Sequence, residues 1–375
     1  MTVAIVHDYL TQRGGAERVV LSMLKAFPRA PLHTSLYDHT GTFSDFERAD
    51  VRACGLSRIG VLRRKHRLAL PLLAPAFDRL RVTADVAICS SSGWAHGATV
   101  MGRKIVYCHT PARWLYQPER YLRSRAAARV PLAVLRPYLL RWDRRAAATA
   151  DLYLANSSVV RDRIWRAYGV SAEIVSPPHA ADPSAPQRPV AGIRPDFFLC
   201  VSRLLPYKNV DAVIAAFGGL PHERLVVVGS GPDRARLQAA STANVRLLGV
   251  VDDLQLRWLY ANCVGVLCAS YEDFGLTPLE AAAFGRPAAV LRWGGFLDTV
   301  VEGKTGIFFE QPHAREVREA VLRLRARPWD DTALRTQAAH FSEAGFIARL
   351  TELVEAYEPP ALERRELALA EAVGT

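Results

Sequence analysis

No run of about 18 uninterrupted apolar residues occurs in the chain, so the sequence offers no bilayer-spanning helix. The opening MTVAIVHDYLTQRGGAERVV has neither the basic leader nor the small-residue cleavage site of a secretory signal, and a cytoplasmic location is the expectation. The six cysteines show no C-x-x-C spacing, which argues against zinc-ribbon and thioredoxin-like sites. Five of them lie in or beside apolar runs (AICSS, VYCHT, FLCVS, CVGVLC) and read as reduced core thiols, whereas Cys54 sits in a mixed segment. A G-x-G-x-x-G fingerprint and a G-x-x-x-x-G-K-[ST] loop are both missing, so dehydrogenase and P-loop nucleotidase readings lose support. There is also no Asp-x-Asp pair and no histidine cluster with ligand spacing; neither a metal nor a cofactor is expected.

What is present begins with charge. The 375 residues carry a formal net charge of +11, half of them are apolar and 23% are charged, which fits a folded globular protein. Residues 1–180 hold 27 Lys and Arg against 13 Asp and Glu, while the remainder is slightly acidic. Such asymmetry suits an anionic partner of the first half, either nucleic acid, a phospholipid surface or a phosphorylated substrate, or else a solvated arginine-rich face.

Short apolar runs bounded by turn residues alternate with helix-period segments twice over, the pattern of βαβ units around parallel sheets. The first series contains TVAIVHDYL, DVAICSS, KIVYCHT and LYLANS; the second contains FFLCVSR, RLVVVGS, NVRLLG, CVGVLCAS and PAAVLR. Between them PPHAADPSAPQRPVAGIRP holds six prolines in nineteen residues and reads as a semi-rigid linker. The expected division is 1–180, a linker over 181–195, a second unit over 196–341, and C-terminal helices over 342–375 that cross back towards the first. Two doubly wound α/β units facing each other leave a cleft at the carboxyl ends of their strands.

Four constellations fall just after strands. Arg203 and Lys208 flank a proline-shaped turn that opens a helix, so two cations and a helix N-terminus can converge on a diphosphate. In YEDFGLTPLEAAAFGRP, Glu272 has no local duty and suits hydrogen bonding to sugar hydroxyls. Glu280 either binds ligand or completes a capping box with Thr277. Gly14 and Gly15 allow a phosphate or sugar to approach the backbone, and the GSG at 229–231 is similarly permissive. His109 ends the strand KIVYCHT, where a cleft residue is as natural as a structural one.

In combination, VSRLLPYKNVD, EDFGLTPLEAAAFGRP and GGFLDTVVEGKTGIFF resemble the signatures of the retaining, metal-independent GT-B glycosyltransferases of family 4. With YCHTPARWLY, the chain is most similar to bacterial mannosyltransferases that use GDP-mannose in surface polysaccharide assembly. The resemblance implies two Rossmann-like domains and transfer of a sugar from a nucleotide-sugar donor to a glycan or lipid-linked acceptor. Arg203 and Lys208 would bind the donor diphosphate, Glu280 the ribose, Glu272 the donor sugar, and His109 the sugar or reacting region. Gly14 and Gly15 would leave space around the sugar phosphate. Asp298 stands where the family usually has glutamate, and its role is left open. A UDP-sugar donor, a small-molecule acceptor and a nucleotide-sugar epimerase remain alternatives. Nucleic acid is not expected as a partner, because aromatic residues do not interleave with the arginines.

Finally, Arg58, Arg63, Arg64, Lys65 and Arg67 accompany leucines and prolines in a segment too short and interrupted to span a bilayer. It reads as a reversible contact with an anionic membrane surface, or as a partly buried helix with ordinary exposed arginines.

Overall fold

The computed structural model describes residues 1–356 except 65 and 119–125, with the backbone alone for 66, 67, 71 and 126–133. Lys65 and residues 357–375 of the expected C-terminal helices therefore lie outside the described residues, as does the side chain of Arg67.

The strands of the first half are β1 (Val3–His7), β2 (Leu32–Thr34), β3 (Val51–Ala53), β4 (Arg81–Val82), β5 (Val86–Ser91), β6 (Thr99–Val100), β7 (Arg103–Cys108), β8 (Leu152–Ala155) and β9 (Ala172–Ile174). Seven of them form one sheet in the order β3-β2-β1-β5-β7-β8-β9, and β4 pairs with β6 apart from it. Every described pairing is parallel. The central β5 is buried at all six positions, as a strand covered by helices on both faces must be.

The second sheet contains β10 (Phe197–Val201), β11 (Leu225–Val228), β12 (Val245–Gly249), β13 (Cys263–Cys268), β14 (Ala288–Leu291) and β15 (Gly306–Phe309). Its order is β12-β11-β10-β13-β14-β15, again all parallel. The fold is thus α/β with two doubly wound sheets. Every one of the nine apolar runs read as strands forms one. β2, β3, β4, β6 and β9, of two or three residues each, were not anticipated, because so few residues carry no periodicity, and neither was β15. All six cysteines are free, and only Cys54 is not buried.

No helix or strand occurs between Ile174 and Phe197. The chain crosses back at 340–342 into the helix Glu343–Glu355, whose N-cap Ser342 accepts a hydrogen bond from Gly345. That helix packs on the first sheet: Phe346 meets Tyr107 edge-on with ring centroids 5.8 Å apart, and Leu350 and Val354 are buried in the same apolar cluster. Glu343 accepts from Ser22 and Lys25, both at 2.7 Å. The two crossings touch, since the His179 amide donates to the Phe341 carbonyl at 3.2 Å and its Nε2 lies 3.1 Å from the Ala338 carbonyl.

Candidate active site

The loops at the carboxyl ends of both sheets interlock. After β13, the 269–275 loop is clasped by the loop after β14: the Gly295 amide donates to the Glu272 carbonyl at 3.1 Å. A Cβ on Gly294 would lie 2.2 Å from the Glu272 carbonyl oxygen, and one on Gly295 would lie 2.2 Å from the Phe274 Cα. Two of the motifs recognised in the sequence are therefore one structural unit. The GSG glycines have a comparable duty, because a Cβ on Gly229 would lie 1.9 Å from the Ser202 carbonyl oxygen and one on Gly231 would lie 2.2 Å from that of Leu204. They let the loop after β11 lie on the loop after β10.

Lys208 and Glu272, assigned from sequence to different parts of a ligand, form an ion pair with one another. Lys208 is 9% exposed and lies with its ammonium 5.2 Å from the centre of the Tyr207 ring. Ser270 donates to the same Glu272 oxygen at 2.9 Å. Burial opposes the charge of Glu272, but Lys208, Arg113 and Ser270 outweigh it and hold its pKa at about 2. Arg203 is exposed and reaches the Tyr207 hydroxyl at 3.4 Å, so Tyr207 stands between the two cations. The helix Val210–Phe217 follows, with Asn209 as its N-cap in the left-handed region and no side-chain cap on its first amides.

Glu280 lies within the helix Leu276–Ala283, whose N-cap is Gly275 at φ +91°. Thr277 is thus already inside the helix and the capping box does not form; a residue with positive φ won the N-cap position. Glu280 instead accepts from the Tyr260 hydroxyl at 2.6 Å. Asp298 accepts from the Ser158 amide at 2.8 Å, so it caps a helix of the first half from the second.

On the opposite wall, His109 follows β7 and is half-buried, with Nε2 2.8 Å from Ser90 Oγ and its carbonyl accepting from Asn156 at 3.0 Å. Burial and the neighbouring His7 lower its pKa to about 3. Gly14 is the N-cap of the helix Gly15–Ala26. A Cβ there would lie 2.5 Å from Glu17 Oε2, which gives Gly14 a structural reason apart from any ligand. Gly15 is exposed, and a Cβ on it would lie 3.9 Å from Leu276 Cδ1, at the start of the Glu280 helix.

Three residues that sequence reasoning passed over join the walls. Asp273 is buried and takes Arg113 Nε at 2.8 Å and Arg163 Nη1 at 2.5 Å, one on each carboxylate oxygen. With Gln117, Tyr207, Tyr271 and Trp293 they line a pocket that is open to solvent. Arg113 and Asp273 stood inside YCHTPARWLY and EDFG, and the charge of each was the available signal. Among the described residues, no group of three or more His, Cys, Asp or Glu could hold a metal ion.

Comparison with known proteins places these loops in a family. The family model "Glycosyl transferases group 1" matches residues 185–341, and "Glycosyltransferase Family 4" matches residues 13–185. Glycogen synthase of Thermus thermophilus is 32% identical over 162 residues, 41% of this chain and 37% of its own length. The GDP-mannose-dependent alpha-(1-6)-phosphatidylinositol monomannoside mannosyltransferase of Mycolicibacterium smegmatis is 29% identical over 248 residues, 56% of this chain and 64% of its own. The chain therefore spans less than two thirds of these relatives. Anabaena HepE, solved with UDP and glucose, superposes with a TM-score of 0.69 at 18% identity, covering 95% of this chain and all of HepE. The two adjoining family matches, together with that shared two-sheet architecture, show that the chain belongs to the GT-B glycosyltransferases of group 1 and family 4.

Proposed function

We propose that the chain is a retaining, metal-independent hexosyltransferase that moves mannose from GDP-mannose to a hydroxyl of a glycan or lipid-linked acceptor in surface polysaccharide assembly. The Lys208–Glu272 pair carries this reading. It puts a buried cation beside a carboxylate held ionised, and a nucleotide sugar presents a diphosphate and a polyol side by side. An arriving diphosphate competes for Lys208 and frees Glu272 oxygens for sugar hydroxyls. Arg203 and the open N-terminus of the helix Val210–Phe217 add to the stabilisation of the leaving diphosphate. Glu280 takes the ribose, and His109 faces the sugar. The choice of mannose and of GDP rests on the mannosyltransferase relative and on YCHTPARWLY with EDFG.

The acceptor side fits a membrane-borne substrate. No described helix is long and apolar enough to cross a membrane. Ile59, Val61, Leu68 and Leu72 are nevertheless exposed, in the same segment as the exposed Arg58 and Arg64. Val134 and Tyr138 are exposed on the helix Ala126–Ala147, which is joined to the helix Leu70–Arg79 through Trp142 and Asp78 at 2.9 Å. Apolar tips among arginines suit reversible attachment to an anionic leaflet from the cytoplasmic side.

A thermal-shift panel of GDP-, UDP-, ADP- and dTDP-sugars, followed by incubation with and without acceptor in excess EDTA, tests the reading. The largest shift with GDP-mannose, an intact donor without acceptor and an α-linked product are expected. A ligand at 100 times its Kd stabilises by about 2.7 kcal/mol. No shift with any nucleotide sugar overturns the reading, conversion of donor alone replaces it with an epimerase, and activity that returns only with Mg²⁺ or Mn²⁺ removes metal independence.

A further inference from the structure

The first sheet carries a buried polar chain beneath the cleft. Glu17 is 1% exposed and His7 2%, at the start of the first helix and the end of β1. Glu17 Oε1 accepts from Gln12 at 3.0 Å and lies 3.9 Å from His7 Nε2, while Oε2 has no partner. His7 Nδ1 lies 3.1 Å from the Ser90 carbonyl and 3.0 Å from Ser90 Oγ. Ser90 Oγ in turn lies 2.8 Å from His109 Nε2. Isolated buried carboxylates and imidazoles are costly, and nothing in the packing of the sheet requires this set.

The donor and acceptor roles follow from the atoms. A carbonyl oxygen only accepts, so His7 Nδ1 must carry a proton, which it shares with Ser90 O and Oγ. Ser90 Oγ then spends an acceptor position on His7 and has its own O–H left to donate. Its other neighbour among the described hydrogen bonds is His109 Nε2; accepting there too would leave the buried O–H without an acceptor, so the arrangement that satisfies the hydroxyl has Nε2 unprotonated. The proton of a neutral His109 is thereby placed on Nδ1, which has no hydrogen-bond partner among the described residues. Glu17 is the counter-charge: burial favours a neutral His7, yet Glu17, and behind it Asp8, raise its pKa above the ordinary value.

We infer that Glu17, His7 and Ser90 are positioning residues that lock His109 as its Nδ1–H tautomer, making it a hydrogen-bond donor to the bound sugar and not a base. The inference rests on the donor-site reading of His109 given above. It also assigns the unoccupied hydrogen-bonding capacity of the site: the sugar must present an acceptor, a hydroxyl or ring oxygen, to His109.

Long-range ¹H–¹⁵N spectra of the full chain labelled with ¹⁵N-histidine test this directly, with His109 assigned by its loss in His109→Gln. A protonated Nδ1 and an unprotonated Nε2 on His109 are expected in the wild type. Ser90→Ala should scramble the tautomer and lower kcat about tenfold, with the KM for the nucleotide sugar changed less than threefold. His7→Asn, whose amide can replace the Nδ1–H, should recover most of the kcat lost in His7→Leu. A protonated Nε2 in the wild type overturns the inference whatever the kinetics, as does an unchanged His109 spectrum in Ser90→Ala or equal loss in His7→Asn and His7→Leu. If the spectra are as expected and His109→Gln transfers at the wild-type rate, the positioning chain stands and the assignment of His109 to the sugar fails.

Discussion

Arg113 and Asp273 are separated by 160 residues and meet across the cleft, guanidinium Nε to carboxylate at 2.8 Å. Arg163 takes the other oxygen of the same carboxylate, so a single aspartate of the second half holds two cations of the first. The Ser157 hydroxyl adds a hydrogen bond to the Asp273 carbonyl at 2.5 Å. These contacts join the two halves beside the Lys208–Glu272 pair.

Asp273→Asn keeps the volume and removes the charge from between two arginines. It should lower kcat/KM about tenfold while the Kd for donor, measured by calorimetry, changes less than threefold. Parallel losses in both quantities would place Asp273 in the donor site.

Glu272 has a pH signature. Its pKa in the folded protein is about 2, below the ordinary 4.5, so the stability it contributes is complete above about pH 5. That contribution is lost as pH falls from 4.5 towards 2. The shift corresponds to at most about 3 kcal/mol. Urea unfolding of wild type and Glu272→Gln should therefore give a gap that is constant above pH 5 and narrows below 4.5. A gap independent of pH would show that the Lys208 pair does not depress this carboxyl.

Glu280 is tied to Tyr260, and the tie separates stability from binding. Glu280→Gln retains an acceptor for the tyrosine hydroxyl, so stability should change by less than about 1 kcal/mol while nucleotide affinity falls about tenfold. Tyr260→Phe should do the reverse, costing about 1 kcal/mol with affinity nearly intact. Full affinity in Glu280→Gln would leave Glu280 a structural residue.

The parts of the site legible in the sequence were those written within one loop. Arg203, Lys208 and Glu272 each follow an apolar strand, and a charged residue after such a run stands out. Their pairing was not legible, because Lys208 and Glu272 are 64 residues apart and come together only through the adjacency of β10 and β13. The same holds for Arg113 with Asp273. His7, Glu17 and Ser90 escaped for another reason: polar residues in a strand end and a first helical turn look solvated until burial is known. The capping box at Thr277 failed because Gly275, two residues earlier, starts the helix.

The basic segment makes a prediction about surfaces. With anionic vesicles the protein should float at low salt and lose most of that association at about 0.5 M salt, where the Debye length is only a few ångströms. Arg58→Glu with Arg64→Glu should abolish flotation and leave the thermal shift with nucleotide sugar unchanged, since both arginines are exposed and neither contacts the Lys208–Glu272 pair. Equal recovery with neutral and anionic vesicles at low salt would rule out the membrane contact.

The polypeptide passes between the two sheets twice, once through the proline-rich 175–196 stretch and once at 340–342, and His179 fastens the passages to each other. Two covalent pivots at one place behave as a pin. Sliding one half past the other would strain both backbone crossings at once, whereas rotation about that line strains neither. The Arg113–Asp273 contact ties the same two halves at a third point, so the halves are held by two backbone crossings and one ion pair.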